Sequence, residues 1–376
     1  MIYFDNSATT PVYPQVLEVY QKVTQDYWGN PSSLHDLGVQ ANRVLDRSRQ
    51  NVAGLLGVLP TEVIFTSSGT EGNNWVIKGT ALEKRVYGNH LITSKIEHPS
   101  VLRTMKQLEE QGFEVTYLDV DDKGEVMLDQ LVQALRKDTI LVSIMAVNNE
   151  IGSVQPIREI GRILEDYPWI HFHVDGVQAV GLNQALVTSE RIDFLTLSAH
   201  KFHGPRGIGI VYKKKNKKIQ ALLSGGGQEF GYRSSTENVA GIVATTKALR
   251  MSLEEDKHTE TLRKELWDFL AQQEAVRIFS PKNGAPHIIC FALKGVKGEV
   301  LVHALEEKDI YLSTTSACSS KKNDHSSTLG AMNIDDAWAS GAVRLSLSNQ
   351  NTLAEVAEFK RVFSDLIKKF NLFRYK

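Results

Sequence analysis

Asp175 closes the apolar run His171–Val174, and Lys201 lies just past the next apolar run, Phe194–Leu197. Sheets of α/β type carry their chemistry just beyond strand ends. A carboxylate and an amine so placed can grip a pyridine-type cofactor at two points. Asp175 would keep the ring nitrogen protonated and so make the ring an electron sink, while Lys201 would form a Schiff base with its aldehyde. Ser198 and His200 flank the lysine with donors suited to a phosphate ester, and Gly204-Pro205 closes the turn. Taken singly, most aspartates and lysines only cap strands or meet solvent. Their joint placement carries the reading, and the cofactor it describes is pyridoxal phosphate.

Other residues could complete such a site. In Phe65–Glu71 a short strand gives way to a helix, and the amides around Gly69 together with the Thr70 hydroxyl would form an anion site. An ordinary Ser/Thr helix cap is the other reading. His98, in Glu97-His98-Pro99, follows the strand His90–Thr93, where an imidazole could stack on the ring and shuttle protons, though a histidine taken alone is more often structural. Asn149 and Gln178 could each serve the ring's phenolic oxygen, and Asn149 also a substrate carboxylate; either could instead be a turn residue. Arg344 sits inside the apolar alternation Ala342–Leu347, where a guanidinium needs an anionic partner, either a substrate carboxylate or a structural ion pair. The two cysteines have opposite settings. Cys290, within His287–Leu293, reads as a buried core residue. Cys318, in a polar loop with two lysines and a histidine, has surroundings that could favour a nucleophilic thiolate; an incidental surface cysteine is the other reading.

These side chains need a scaffold. Helix-like and strand-like segments alternate: Gln40–Leu56, Glu62–Thr66, Glu71–Leu82, His90–Thr93, Pro99–Glu110, Glu114–Leu118, Leu128–Leu135 and Thr139–Val147. Such alternation predicts a mostly parallel sheet with helices on both faces. Thr139–Val147, Phe194–Leu197 and Gly207–Tyr212 are nearly continuous apolar runs, as strands covered on both sides should be. After one or two helices in Thr236–Phe269, the strands Ile288–Leu293 and Val343–Leu347 and the helices Glu299–Leu305 and Thr352–Phe370 describe a smaller α+β unit. The expected division is a large domain over 15–251 and a small one over 1–14 and 252–376, with the Cys318 loop at about 313–330. The first fourteen residues, with Pro11 and Pro14, read as an extended arm crossing between the two.

A chain of 376 residues suits one large domain and a smaller one, and 42% hydrophobic with 23% charged residues is a globular composition. The net charge of −1 offers no pull toward nucleic acid or an anionic membrane. The lysine run 213–218 reads as a solvated turn, since no row of aromatics accompanies it. No apolar stretch is long enough to span a bilayer, and two cysteines suit a reducing compartment, so a cytoplasmic location is expected. The site described needs no metal.

The constellation resembles the cysteine desulfurases of the NifS/IscS-like family, among the class V, fold-type I pyridoxal-phosphate enzymes. The likeness runs through Asp5–Pro11, Gly29–Ser33, Thr66–Glu71, Glu97-His98, Val147–Gly152, Asp175 with Gln178, Ser198–Gly204, Arg233–Thr236 and Ser316–Cys318, covering nearly the whole chain in order. It implies a large domain with a mostly parallel seven-stranded sheet between helices, plus a small α+β domain. It also implies Lys201 as the Schiff-base lysine, Asp175 as the ring-nitrogen partner, His98 as the stacking acid/base, and Asn149 and Gln178 beside the ring oxygen and substrate. Gly69, Thr70, Ser198 and His200 would hold the phosphate, joined by Thr236 from the other subunit of a homodimer. Arg344 would clamp the carboxylate, with Asn30 or Arg233 framing the pocket. L-cysteine would give L-alanine and a persulfide on Cys318, passed on to an iron–sulfur scaffold or a tRNA-thiolation protein. The alternatives are a related selenocysteine lyase or aminotransferase. The segment after Cys318, Lys321–His325, departs from the iron–sulfur housekeeping pattern, which leaves the acceptor open.

Overall fold

Alternation with period two decides which way each strand of the main sheet faces. Val63 and Phe65, Ile92, Val142 and Ile144, Phe172 and Val174, and Leu195 and Leu197 enter one core with Leu45 and Val52 of the helix Asp36–Leu56 and Ala244 and Ala248 of the helix Val239–Leu253. Their neighbours Ile64, Leu91, Leu141, Phe194 and Val211 turn to the opposite face. There they meet the helices Gly69–Lys84 and Pro99–Glu110. Burial on both faces is what the unbroken apolar runs predicted.

The computed structural model describes the chain apart from residues 182–190, 255–257, 316–325 and 375–376, so Cys318 lies outside the described residues. The strands, in chain order, are β1 (Ile2–Tyr3), β2 (Val63–Thr66), β3 (His90–Ser94), β4 (Glu114–Leu118), β5 (Thr139–Met145), β6 (His171–Asp175), β7 (Phe194–Ser198), β8 (Gly209–Lys213), β9 (Val276–Ile278), β10 (Ile288–Leu293), β11 (Ile310–Tyr311), β12 (Ser313–Thr314) and β13 (Ala342–Ser346). Seven of them form the main sheet in the order β2-β8-β7-β6-β5-β3-β4. Only β8 runs against its neighbours; the other pairs are parallel. The sheet has the expected α/β, fold-type I form. β5 ends two residues earlier than the apolar run suggested, because Val147 leaves the sheet to bridge Val154.

A second sheet, β12-β13-β10-β9, is antiparallel and packs against the helices His258–Ala271, Gly298–Glu306 and Leu353–Arg374. Phe291, Phe359 and Phe363 anchor this core, with Phe291 edge-on to Phe363 at a centroid distance of 5.5 Å. Ile2 and Phe4 belong to it, through the parallel pairing of β1 with β11, whereas Tyr13 belongs to the first core. Residues 5–12 therefore run from one core to the other. Pro14 opens the next helix, Pro14–Asp26, at a position where its missing N–H costs nothing.

The lysine run differs from expectation. Lys213 is buried, its ammonium 4.7 Å from the Tyr232 ring centroid, and Lys217 pairs with buried Asp193 at 3.1 Å. Only part of the run is therefore solvated.

Candidate active site

A cavity of about 170 Å³ opens at the carboxyl ends of the parallel strands. Its lining includes Gly69 and Thr70 beyond β2, His98 beyond β3, Asn149 beyond β5, Asp175 and Gln178 at and after β6, Ser198, His200 and Lys201 at and after β7, and Arg344 on β13. Every strand that contributes from the main sheet does so from the same end, so residues far apart in sequence converge.

Ser68 caps the helix Gly69–Lys84 by accepting from the Glu71 N–H at 3.1 Å, which leaves the amides at Gly69 and Thr70 at the cavity wall. Gly69 is required by space: a Cβ there would stand 2.7 Å from Val177 Cγ2 and 3.3 Å from Ser198 Cβ. Asp175 accepts from Asn73 Nδ2 at 2.7 Å and from the Val177 N–H at 3.0 Å. His98 is the N-cap of the helix Pro99–Glu110, its Nδ1 accepting from the Ser100 N–H at 3.1 Å and lying 2.8 Å from Ser100 Oγ. Burial pushes the His98 pKa down, with Lys201 pushing the same way and Asp175 opposing. Burial, with help from Lys201 and Arg206, takes His200 down to about 4, so its ring is neutral near pH 7.

Lys201 donates to the carbonyls of Ser7 and Ala8, the latter at 2.9 Å. Gln178 donates to the same Ser7 carbonyl at 3.0 Å. Arg344 has the anionic partner that its buried strand position demands. Its Nη2 donates to Asp5 Oδ1 at 2.9 Å and its Nη1 to the Asn149 carbonyl at 3.0 Å, while Nε is buried without a partner. The ion pair is present, and the guanidinium also lines the cavity. Beside the cavity, burial pushes the carboxyl of Glu97 up to about 8 and that of Glu150 up to about 7.

Two expected residues stand apart from this cavity within the single chain. Asn30 is exposed, its Oδ1 accepting from the Ser32 N–H at 2.9 Å. Thr236 is exposed in a separate depression with Glu229 and Arg233, and Arg233 pairs with Glu71 at 2.8 Å. Conversely, Asp5, Ser7, Asn73 and Ser100 touch the site without having been singled out for it. Helical spacing held one clue, since Asn73 lies one turn past Gly69 on the same helix face.

Over residues 2–359 the sequence matches the Aminotransferase class-V family. The chain belongs to this family, in its NifS/IscS-like branch. A protein of Lactobacillus delbrueckii subsp. bulgaricus named NifS/IcsS protein homolog is 54% identical, covering 99% of this chain and 98% of the relative. Cysteine desulfurase IscS of Dictyoglomus turgidum is 41% identical, covering 98% and 95%. Among solved structures, a NifS-like protein superposes with a TM-score of 0.91 at 39% identity, covering 99% of both chains. A structure described as SspA in complex with cysteine superposes with a TM-score of 0.82 at 32% identity, covering 92% of this chain and 99% of the other. Class-V aminotransferase and cysteine desulfurase proteins depend in general on pyridoxal phosphate, and the residues gathered here suit that cofactor. Three residues of the cavity wall, Ser7, Asn73 and Arg344, each keep a buried polar atom without a partner, as a wall built for a polar occupant would.

Proposed function

We propose that this chain is a pyridoxal-phosphate-dependent cysteine desulfurase that converts L-cysteine to L-alanine and keeps the sulfur as a persulfide on Cys318. The observation that carries the reading is the convergence of Lys201, Asp175, His98 and Arg344 on one cavity, beside a helix N-terminus suited to phosphate. When bound, the cofactor supplies an electron sink that acidifies the substrate's α-carbon and weakens its C–S bond.

The residues then divide the work. Asp175 holds the ring nitrogen's proton, and the Gly69 and Thr70 amides, with Ser198 and His200, receive the phosphate. Thr236 of the partner subunit completes that set in a homodimer, which accounts for its distance from the cavity of its own chain. Asn149 and Gln178 serve the ring oxygen. Arg344 takes the substrate carboxylate. Lys201 would hold the cofactor covalently and its amine would take the substrate's α-proton; His98 would hold and deliver a proton beside it. The Cys318 thiolate attacks the substrate sulfur, so one C–S bond breaks as one S–S bond forms, and the carbon left behind takes up a proton to become L-alanine. The atoms balance without an outside oxidant. An acceptor protein, an iron–sulfur scaffold or a tRNA-thiolation enzyme, then collects the sulfur. Thiol chemistry of this kind suits the reducing cytoplasm.

The test is direct. Purified protein mixed with pyridoxal phosphate should acquire a visible absorption band that Lys201→Ala loses. Incubation with L-cysteine should leave an alkylatable persulfide that is absent from Cys318→Ser. A protein that stays colourless and releases no sulfide with a reductant present overturns the proposal.

A further inference from the structure

Between the carboxylate and the imidazole of the cavity runs a continuous hydrogen-bond chain. The Asn73 amide nitrogen has two hydrogens and uses both, one on Asp175 Oδ2 at 2.7 Å and one on Ser100 Oγ at 2.9 Å. Ser100 Oγ, already an acceptor, has its single hydrogen left for His98 Nδ1 at 2.8 Å. The Ser100 backbone N–H reaches the same Nδ1 at 3.1 Å, which makes that nitrogen an acceptor. Turning the Asn73 amide over would point Oδ1 at a carboxylate that the Val177 N–H already treats as an acceptor. The cost of the observed orientation is visible: Asn73 Oδ1 is buried and unsatisfied. All four residues are buried or nearly so, with Asn73 at 1% exposure.

We infer that Asn73 and Ser100 are positioning residues that orient the Asp175 carboxylate and hold His98 as the neutral ring with its proton on Nε2, so that one relay links the two groups. The inference rests on the proposed desulfurase reading for its purpose, but not for its geometry. A ring so held carries its proton on the nitrogen away from the helix and keeps it ready for delivery, instead of becoming a second cation beside Lys201. The charged or titratable groups around His98 are Asp175 at the end of β6, Lys201 beyond β7 and Glu97 next to it in sequence. Glu97 accepts from Ser94 Oγ at 2.6 Å and from the Met145 N–H at 3.0 Å, and its pKa of about 8 leaves it largely uncharged near neutral pH.

The experiment follows the histidine itself. Full-length protein loaded with pyridoxal phosphate and carrying ¹⁵N-labelled histidine is titrated by NMR, with the His98 signals assigned from His98→Gln. The wild-type protein should show an unprotonated Nδ1 and a protonated Nε2. Ser100→Ala removes a donor to the neutral ring and should raise the His98 midpoint by about half a pH unit or more, and Ser100→Thr should restore it. Asn73→Asp should raise it too, by drawing the Ser100 hydrogen away from the ring. The acid limb of kcat/KM for sulfide release should move in the same direction. A wild-type proton on Nδ1, or a midpoint unmoved in both Ser100→Ala and Asn73→Asp, overturns the inference. A colourless, inactive protein with the expected tautomer would instead sink the desulfurase reading and leave the relay standing.

Discussion

Asp5 and Arg344 join the two ends of the chain at the cavity wall, with Arg344 Nη2 donating to Asp5 Oδ1 at 2.9 Å and the arginine side chain 4% exposed. A buried guanidinium needs such a partner, yet one carboxylate does not use all five of its donors. Asp5 therefore orients the fork and leaves donors over for a second anion. Arg344→Lys keeps the charge and loses the fork, so KM for L-cysteine should rise about tenfold or more in steady-state sulfide release. Asp5→Asn keeps an acceptor and should raise KM by only about threefold, with kcat little changed.

Gly69→Ala should weaken cofactor binding and stability together, because its Cβ would press on Val177 Cγ2 at 2.7 Å. Overpacking of this kind costs about 1–3 kcal/mol. Adding Val177→Ala should return most of the loss, read as thermal midpoint and as pyridoxal phosphate affinity. A double variant no better than Gly69→Ala would mean that the helix start itself, and not its neighbour, is damaged.

Stability should fall at both ends of the pH scale for opposite reasons. Burial takes His173 down to about 3 and His90 to about 4, so both stay neutral in the folded chain while they would charge in the unfolded one below about 6.5. Their contribution is intact above that value and is lost as pH falls toward the folded pKa. Glu97, raised to about 8, behaves in the reverse sense: its neutral form suits the fold, and stability declines as pH rises from about 4.5 through 8. Urea unfolding of Glu97→Gln should show a shallower decline between pH 6 and 9 than the wild type, by up to a few kcal/mol, because each tenfold difference in proton affinity between the folded and unfolded chain is worth about 1.4 kcal/mol.

Arg49 and Glu229 form a buried two-point pair at 2.7 and 2.6 Å, and Glu229 also receives the Phe65 N–H of β2 at 2.8 Å. Glu229→Gln strands a guanidinium against the sheet and should cost about 3–5 kcal/mol, seen as a fall in the denaturant midpoint. Replacing both partners with apolar residues of similar volume should recover much of it.

The sequence made the ends of buried strands easy to find, because period-two burial and unbroken apolar runs are local properties. Asp175, Ser198 and Lys201 were therefore legible, as were the strands beneath them. The two-residue strands β1, β11 and β12 carry too few residues to show any period, and the reversal of β8 is a matter of pairing, not of composition. Asn73 escaped notice among Trp75, Val76 and Ile77 because its partners come from β6 and from the first turn of the helix Pro99–Glu110, which no local pattern joins. Asp5 did so for the same reason, its arginine lying at position 344. Arg344, by contrast, announced itself as a charge in an apolar strand, where a partner had to exist.

The lysine at position 201 leans on carbonyls from residues 7 and 8, and that opening segment is in turn held by β11 and by Ser346, whose backbone N–H donates to the Phe4 carbonyl. The segment 2–8 can therefore settle only after strands some three hundred positions further along are in place. A lesion in β11 or at Ser346 would thus reach Lys201 from far along the sequence, with the cavity's own lining unchanged.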